Sequence, residues 1–244
     1  MMHRTVILPL ALALLLGLGA APPLLAQEAQ EAQDAQEAQE AQEAQDAEPP
    51  REVLLAAVPV PPLDELDAAV REVIESRTRQ VEESLVREGL TADSPDLAQL
   101  TEAFGELGFL YHAHGLLDSA QACYINARRL SPDDPRWSYA MALVLREKGD
   151  LEGAAQAYEL NLQQLPRNTT ALVGLAEVRL EQNMPLVARA HLWHALELST
   201  ESPATLGGLG QVALSTKDYA RAVNYFERAL AQVPEANRLH YPLA

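Results

Sequence analysis

One cysteine, Cys123, in 244 residues rules out an intramolecular disulfide, and with no CxxC or CxxCH spacing there is no thiol pair for zinc, redox or haem chemistry. Lysine is nearly absent: Lys148 and Lys217 are the only two, and the formal net charge is -17. Nucleic acid binding needs clustered Lys and Arg to neutralise phosphates, so that function class is excluded. No GxSxG, P-loop or glycine-rich phosphate loop occurs, which leaves no catalytic residue to name and no enzyme to expect. His191 and His194 share a helix face at a spacing of three, but no cysteine or carboxylate is fixed beside them by sequence, so no metal and no cofactor is expected. Cys123, at a helical position beside Tyr124, reads as a buried structural thiol.

The chain also lacks an apolar run long enough to span a bilayer. Val6 to Ala20 is apolar but holds only 15 residues, against the roughly 20 a spanning helix requires. It follows a basic Met1-Met2-His3-Arg4 start and precedes small residues and Pro22-Pro23, the three-part pattern of a secretory signal peptide over 1–26. Cleavage is expected after Ala26, or after Ala20; the alternative is an uncleaved N-terminal anchor. The chain is therefore expected to be exported, periplasmic or extracellular, with no membrane contact after cleavage.

Residues 27–62 begin with Glu-Ala-Gln and Asp-Ala-Gln repeats and end in the Pro-rich Val58-Pro59-Val60-Pro61-Pro62. Acids spaced by three spiral around any helix, and nothing bulky is present to bury, so a disordered acidic tether is expected. It serves either as a soluble spacer or as an acidic arm for a basic partner. From Leu63 the pattern changes. Leu66, Val70, Val73, Ile74, Val81 and Leu85 recur at spacings of mainly three and four among Asp, Glu and Arg, up to Gly89. That predicts an amphipathic helix within a 63–100 region, capping the body that follows or, alternatively, pairing as a coiled coil.

The body is repetitive. Thr101, Pro135, Thr169 and Pro203 open four lines of 34 residues with no insertion or deletion. Column by column, Leu107, Met141, Leu175 and Leu209 align, as do Gly108, Ala142, Ala176 and Gly210. Alanine fills one column throughout, at Ala120, Ala154, Ala188 and Ala222, and Tyr124, Tyr158, Leu192 and Phe226 fill a bulky one. Gly115 and Gly149 mark turns, and Pro132, Pro166 and Pro234 mark ends. Departures are Ser138 for an aromatic, Asn161 for an alanine, Arg179 for the aromatic of the Tyr111 column, and Thr200 for a proline. These lines, 101–134, 135–168, 169–202 and 203–236, each read as a helical hairpin that buries its apolar face only by stacking on the next. A fifth line, 237–244, stops at Leu243-Ala244 in the columns of Leu107-Gly108. Either the sequence is a fragment or a partner or second copy covers that end, through which the chain would self-associate.

These columns resemble the tetratricopeptide repeat signature, W-x2-L-G-x2-Y followed by A-x3-F-x2-A and a closing Pro. The resemblance implies an all-α, right-handed superhelical solenoid that binds a protein or peptide partner along a concave groove lined by the first helix of each hairpin. Carried onto this sequence, the groove positions are Glu106, Phe109 and His112; Arg136, Tyr139, Leu143 and Arg146; Thr170, Val173, Glu177 and Glu181; and Gln211 and Leu214. The family's carboxylate clamp uses Lys and Asn, and its positions here hold Phe109, Ala140, Leu143 and Gly174, so binding of a chaperone tail is not expected. Two functions follow. One is a non-enzymatic adaptor or scaffold of the cell envelope. The other is an assembly module of a larger envelope biogenesis or transport protein with further domains beyond residue 244.

Overall fold

The computed structural model describes residues 54–86, 97–198 and 202–232, all within one compact unit spanning 50–244. The expected signal peptide, the tract up to residue 53, Gly89, Thr200 and the fifth line lie outside the described residues. Among the described residues there are nine helices and no strand. They are α1 (Ala68–Val86), then four hairpins: α2 (Leu97–Ala113) with α3 (Leu117–Leu130), α4 (Pro135–Glu147) with α5 (Leu151–Gln164), α6 (Thr169–Glu181) with α7 (Pro185–Leu198), and α8 (Pro203–Ser215) with α9 (Tyr219–Ala231). No helix of the described residues is long and apolar enough to cross a membrane.

The 34-residue period sets the boundaries. Helices α4, α6 and α8 start where the sequence lines start, whereas α2 starts at Leu97, four residues before the first line. Side chains of Asp134, Asp150, Asn168, Ser202 and Asp218 accept backbone N–H bonds at the start of α4, α5, α6, α8 and α9, satisfying donors that would otherwise have no partner. Each hairpin turns in the same way. Gly115, Gly149, Asn183 and Lys217 occupy one column and all have positive φ, between 59° and 79°. In each turn an N–H reaches back five residues to a carbonyl: Leu116 to Tyr111, Asp150 to Leu145, Met184 to Arg179 and Asp218 to Ala213. This is the Schellman closure, which favours glycine at the positive-φ position; hairpins three and four achieve it without one.

Packing follows the small and bulky columns. Ala120, Ala154 and Ala188 are fully buried, and Ala222 is 3% exposed. Gly108 lets Tyr124 lie against the α2 backbone: a Cβ at Gly108 would sit 2.6 Å from the ring. The departures from the repeat are filled in. Ser138 donates to the Pro135 carbonyl at 3.0 Å. Asn161, 1% exposed, donates to the same carbonyl at 2.7 Å and accepts from Asn168 Nδ2 at 2.8 Å. This bond also ties down the Asn168 side-chain amide. Arg179 pairs with Glu159 at 2.7 Å and Glu152 at 3.4 Å. Repeats two and three are thus bonded at Ser138, Asn161 and Arg179, where their columns depart.

Two expectations change. Helix α1 is shorter than the 63–89 stripe: Leu63 and Leu66 pack ahead of it, Ile74 and Val81 are buried, and Val73 is exposed. Residues 54–62, expected to belong to the tether, form an extended strap on α3. Asn126 holds its backbone at both ends of one residue, accepting from Ala56 N–H at 2.6 Å and donating to Ala56 C=O at 2.9 Å. Ser119 donates to the Pro59 carbonyl at 2.9 Å and Arg129 to the Leu54 carbonyl at 2.8 Å, while Leu55 and Val58 pack on the core. Three proline-fixed φ angles, at Pro59, Pro61 and Pro62, lower the cost of holding this chain extended.

Candidate partner-binding groove

The first helices α2, α4 and α6 share a face, because side chains on it bond from one repeat to the next. Helical spacing puts Tyr139 and Leu143 one turn apart on α4, and the stacking of α2 brings Phe109 beside them. With Arg136, Leu165 and Asn168 they bound a depression of about 350 Å³. Phe109 is 54% exposed and meets the Tyr124 ring in a T-shaped contact at 5.6 Å. Tyr139 is held in the same way by Tyr158 at 5.7 Å. Burial raises the Tyr139 pKa, with Glu177 adding to the effect, so its hydroxyl stays a neutral donor.

The arginines expected to face a partner are already engaged. Arg136 reaches Asp134 at 2.6 Å and also bonds Glu102, and its guanidinium lies 4.6 Å over the Trp137 ring. Hydrogen bonds from Arg136 hold the Asp134 carboxyl below its ordinary pKa. Arg146 bonds Glu177 at 2.5 Å and Glu181 at 2.6 Å. Burial pulls the Arg146 pKa down, but the hydrogen bonds it donates to Glu181 and Glu177 outweigh it and the group stays charged. His112 pairs with Glu147 at 3.0 Å, and Glu106 with Arg77 of α1 at 3.1 Å.

Phe109, Arg136, Tyr139 and Leu143 therefore converge on one apolar depression, and Arg146, Glu177 and Glu181 form an ion cluster beside it. Other positions do not join. Val173 is buried at 8% exposure, Thr170 is exposed, and Gln211 and Leu214 stand exposed on α8 outside both groups. Glu102, Glu147, Leu165 and Asn168 take part without having been foreseen. The two acidic ones, Glu102 and Glu147, bridge repeats by a rule that Glu177 and Glu181 also obey: partners lie 31 to 35 residues apart, about one repeat on. Scanning the sequence for opposite charges at that offset would have found them. Among the described residues no group of three or more His, Cys, Asp or Glu is placed to hold a metal ion.

The family profile described as tetratricopeptide repeat matches residues 110–169 and 208–244. Solved structures share the fold at low identity. MamA matches with a TM-score of 0.58 and 14% identity, over 69% of this chain and 91% of that one. A tetratricopeptide repeat protein from Parabacteroides merdae matches with a TM-score of 0.59 and 17% identity, over 68% of this chain and 60% of that one. BtubC from P. vanneervenii matches with a TM-score of 0.55 and 24% identity, over 73% of this chain and 78% of that one.

Proposed function

The chain is a tetratricopeptide repeat protein, and from that premise we propose that it is a non-enzymatic scaffold of the cell envelope that seats a protein or peptide partner on its first helices. The observation that carries this reading is the depression between Phe109, Tyr139 and Leu143, which offers about 350 Å³ of largely apolar space. Aromatic anchors of this kind dominate interface energetics. Because Arg136 and Arg146 are already matched by carboxylates, a partner's affinity comes from a bulky apolar side chain in the depression, and the ion pairs orient it at the rim.

Export rests on the leader pattern over 1–26. Intact mass of the exported protein should begin after Ala26 or Ala20; a mature chain that starts at Met1 removes the signal-peptide reading. For the groove, affinity capture from envelope extract with the wild type and with Tyr139→Ala/Leu143→Ala should return partners that the double variant loses about tenfold or more. An unchanged partner set would refute the assignment.

A further inference from the structure

The second helices carry a separate set of bridges between repeats, and the last one is missing. At the first junction Lys148, just after α4, reaches back to Asp118 at 2.6 Å and Gln121 at 2.5 Å on α3. At the second, Arg179 on α6 takes Glu152 and Glu159 of α5, and Gln182 donates to Glu152 at 3.2 Å. Moving 34 residues on turns every partner apolar or short: Glu152 becomes Leu186, Glu159 becomes Trp193, Arg179 becomes Ala213 and Gln182 becomes Thr216. Thr216 turns its hydroxyl back to the Val212 carbonyl at 2.9 Å instead of across the junction. The space that the bridges fill elsewhere is left as a cleft of about 510 Å³ between α7, α8 and α9.

Its walls are unusual for this chain. Leu186 is 63% and Trp193 47% exposed at its lip, with Val212 and Ala213 at its base. Two arginines stand over it. Arg189 is exposed and makes no ion pair or hydrogen bond among the described residues, and Arg221 is 73% exposed and reaches Asp218 only at 3.4 Å. Asp218 is the only carboxylate among the lining residues, so the cleft is locally cationic in a protein of formal net charge -17.

We propose that this cleft is a second docking site, distinct from the first-helix groove, for an acidic peptide segment carrying bulky apolar anchors. An exposed Trp and Leu over an apolar base demand an apolar occupant, because leaving such surface wet forgoes burial energy. The paired arginines select carboxylates on either side of the anchor. The chain's own Glu-Ala-Gln tract has the acids but no side chain bulky enough to fill the cleft.

Tryptophan emission tests this on the full chain, because Trp137 is 1% exposed and Trp193 is the one open to solvent. The synthetic peptide Asp-Glu-Leu-Phe-Asp-Glu should shift emission to the blue and protect Trp193 from acrylamide, with affinity falling as salt rises from about 0.05 to about 0.5 M. Arg189→Glu/Arg221→Glu should weaken binding about tenfold or more while keeping native helicity; if helicity falls, Arg189→Gln/Arg221→Gln replaces it. The anchorless peptide Asp-Glu-Ala-Ala-Asp-Glu should give no shift. Equal binding of Lys-Arg-Leu-Phe-Lys-Arg, or unchanged affinity in the double variant, overturns the proposal. So does a blue shift that grows with protein concentration in the absence of peptide, which would assign the cleft to a second copy.

Discussion

Asn161 sits where three other repeats place alanine, at Ala127, Ala195 and Ala229. A consensus argument would restore the alanine and expect a gain. The bonding predicts the opposite. Asn161→Ala strips a partner from the Pro135 carbonyl and from Asn168, which itself caps α6, so it should cost about 1–3 kcal/mol in guanidinium unfolding. Cys123 gives a second residue-level outcome. Burial pushes its thiol up to about 12, so almost no thiolate exists at neutral pH. Ellman's reagent should leave the native protein unlabelled and modify one thiol per chain after denaturation. His191 supplies the pH dependence. Burial, and then the positive Arg179, lower its pKa below the ordinary 6.5, with Glu159 opposing. The folded state therefore binds fewer protons than the unfolded state just below that pH. The contribution is complete above 6.5 and declines as pH falls through 6.5 towards the folded value. Urea midpoints between pH 7.5 and 5.5 should drop more for the wild type than for His191→Gln.

At the scale of the element, the turn column decides. Lys217 holds φ at 62° where two other hairpins use glycine. A left-handed non-glycine residue costs about 1–2 kcal/mol, and glycine returns about half of that as unfolded-chain entropy. Lys217→Gly should therefore stabilise by roughly 0.5–1 kcal/mol, and the melting transition is the readout. The helices were legible for the same reason that these turns repeat: fixed columns of small, bulky and turn residues dictate hairpins of one length. The strap at 54–62 was not legible. Its Val-Pro alternation has no helical period, and what holds it is Asn126, whose column continues as Leu160, His194 and Arg228. A contact made by one repeat alone leaves no periodic trace. The groove was half legible. The tetratricopeptide resemblance put Phe109, Arg136, Tyr139 and Leu143 on one face, but the pairing of Arg136 and Arg146 with carboxylates about one repeat away came from the stacking.

At the scale of the whole molecule, one stack presents two unlike faces. The first helices offer an aromatic depression among matched ion pairs. The second helices are bridged at the first two junctions and open at the third. Both faces depend on hairpins that approach closely because alanine stands where their axes come together, and the stack has no disulfide to hold it should that contact fail. The most direct test is guanidinium unfolding, followed by far-ultraviolet circular dichroism, of Ala154→Leu beside Ala220→Leu as an exposed control. Ala154 is fully buried and Ala220 faces solvent. Overpacking should cost Ala154→Leu about 1–3 kcal/mol and leave the control within about 0.5 kcal/mol of wild type. Equal stabilities for the two variants would contradict the stacking on which both faces rest.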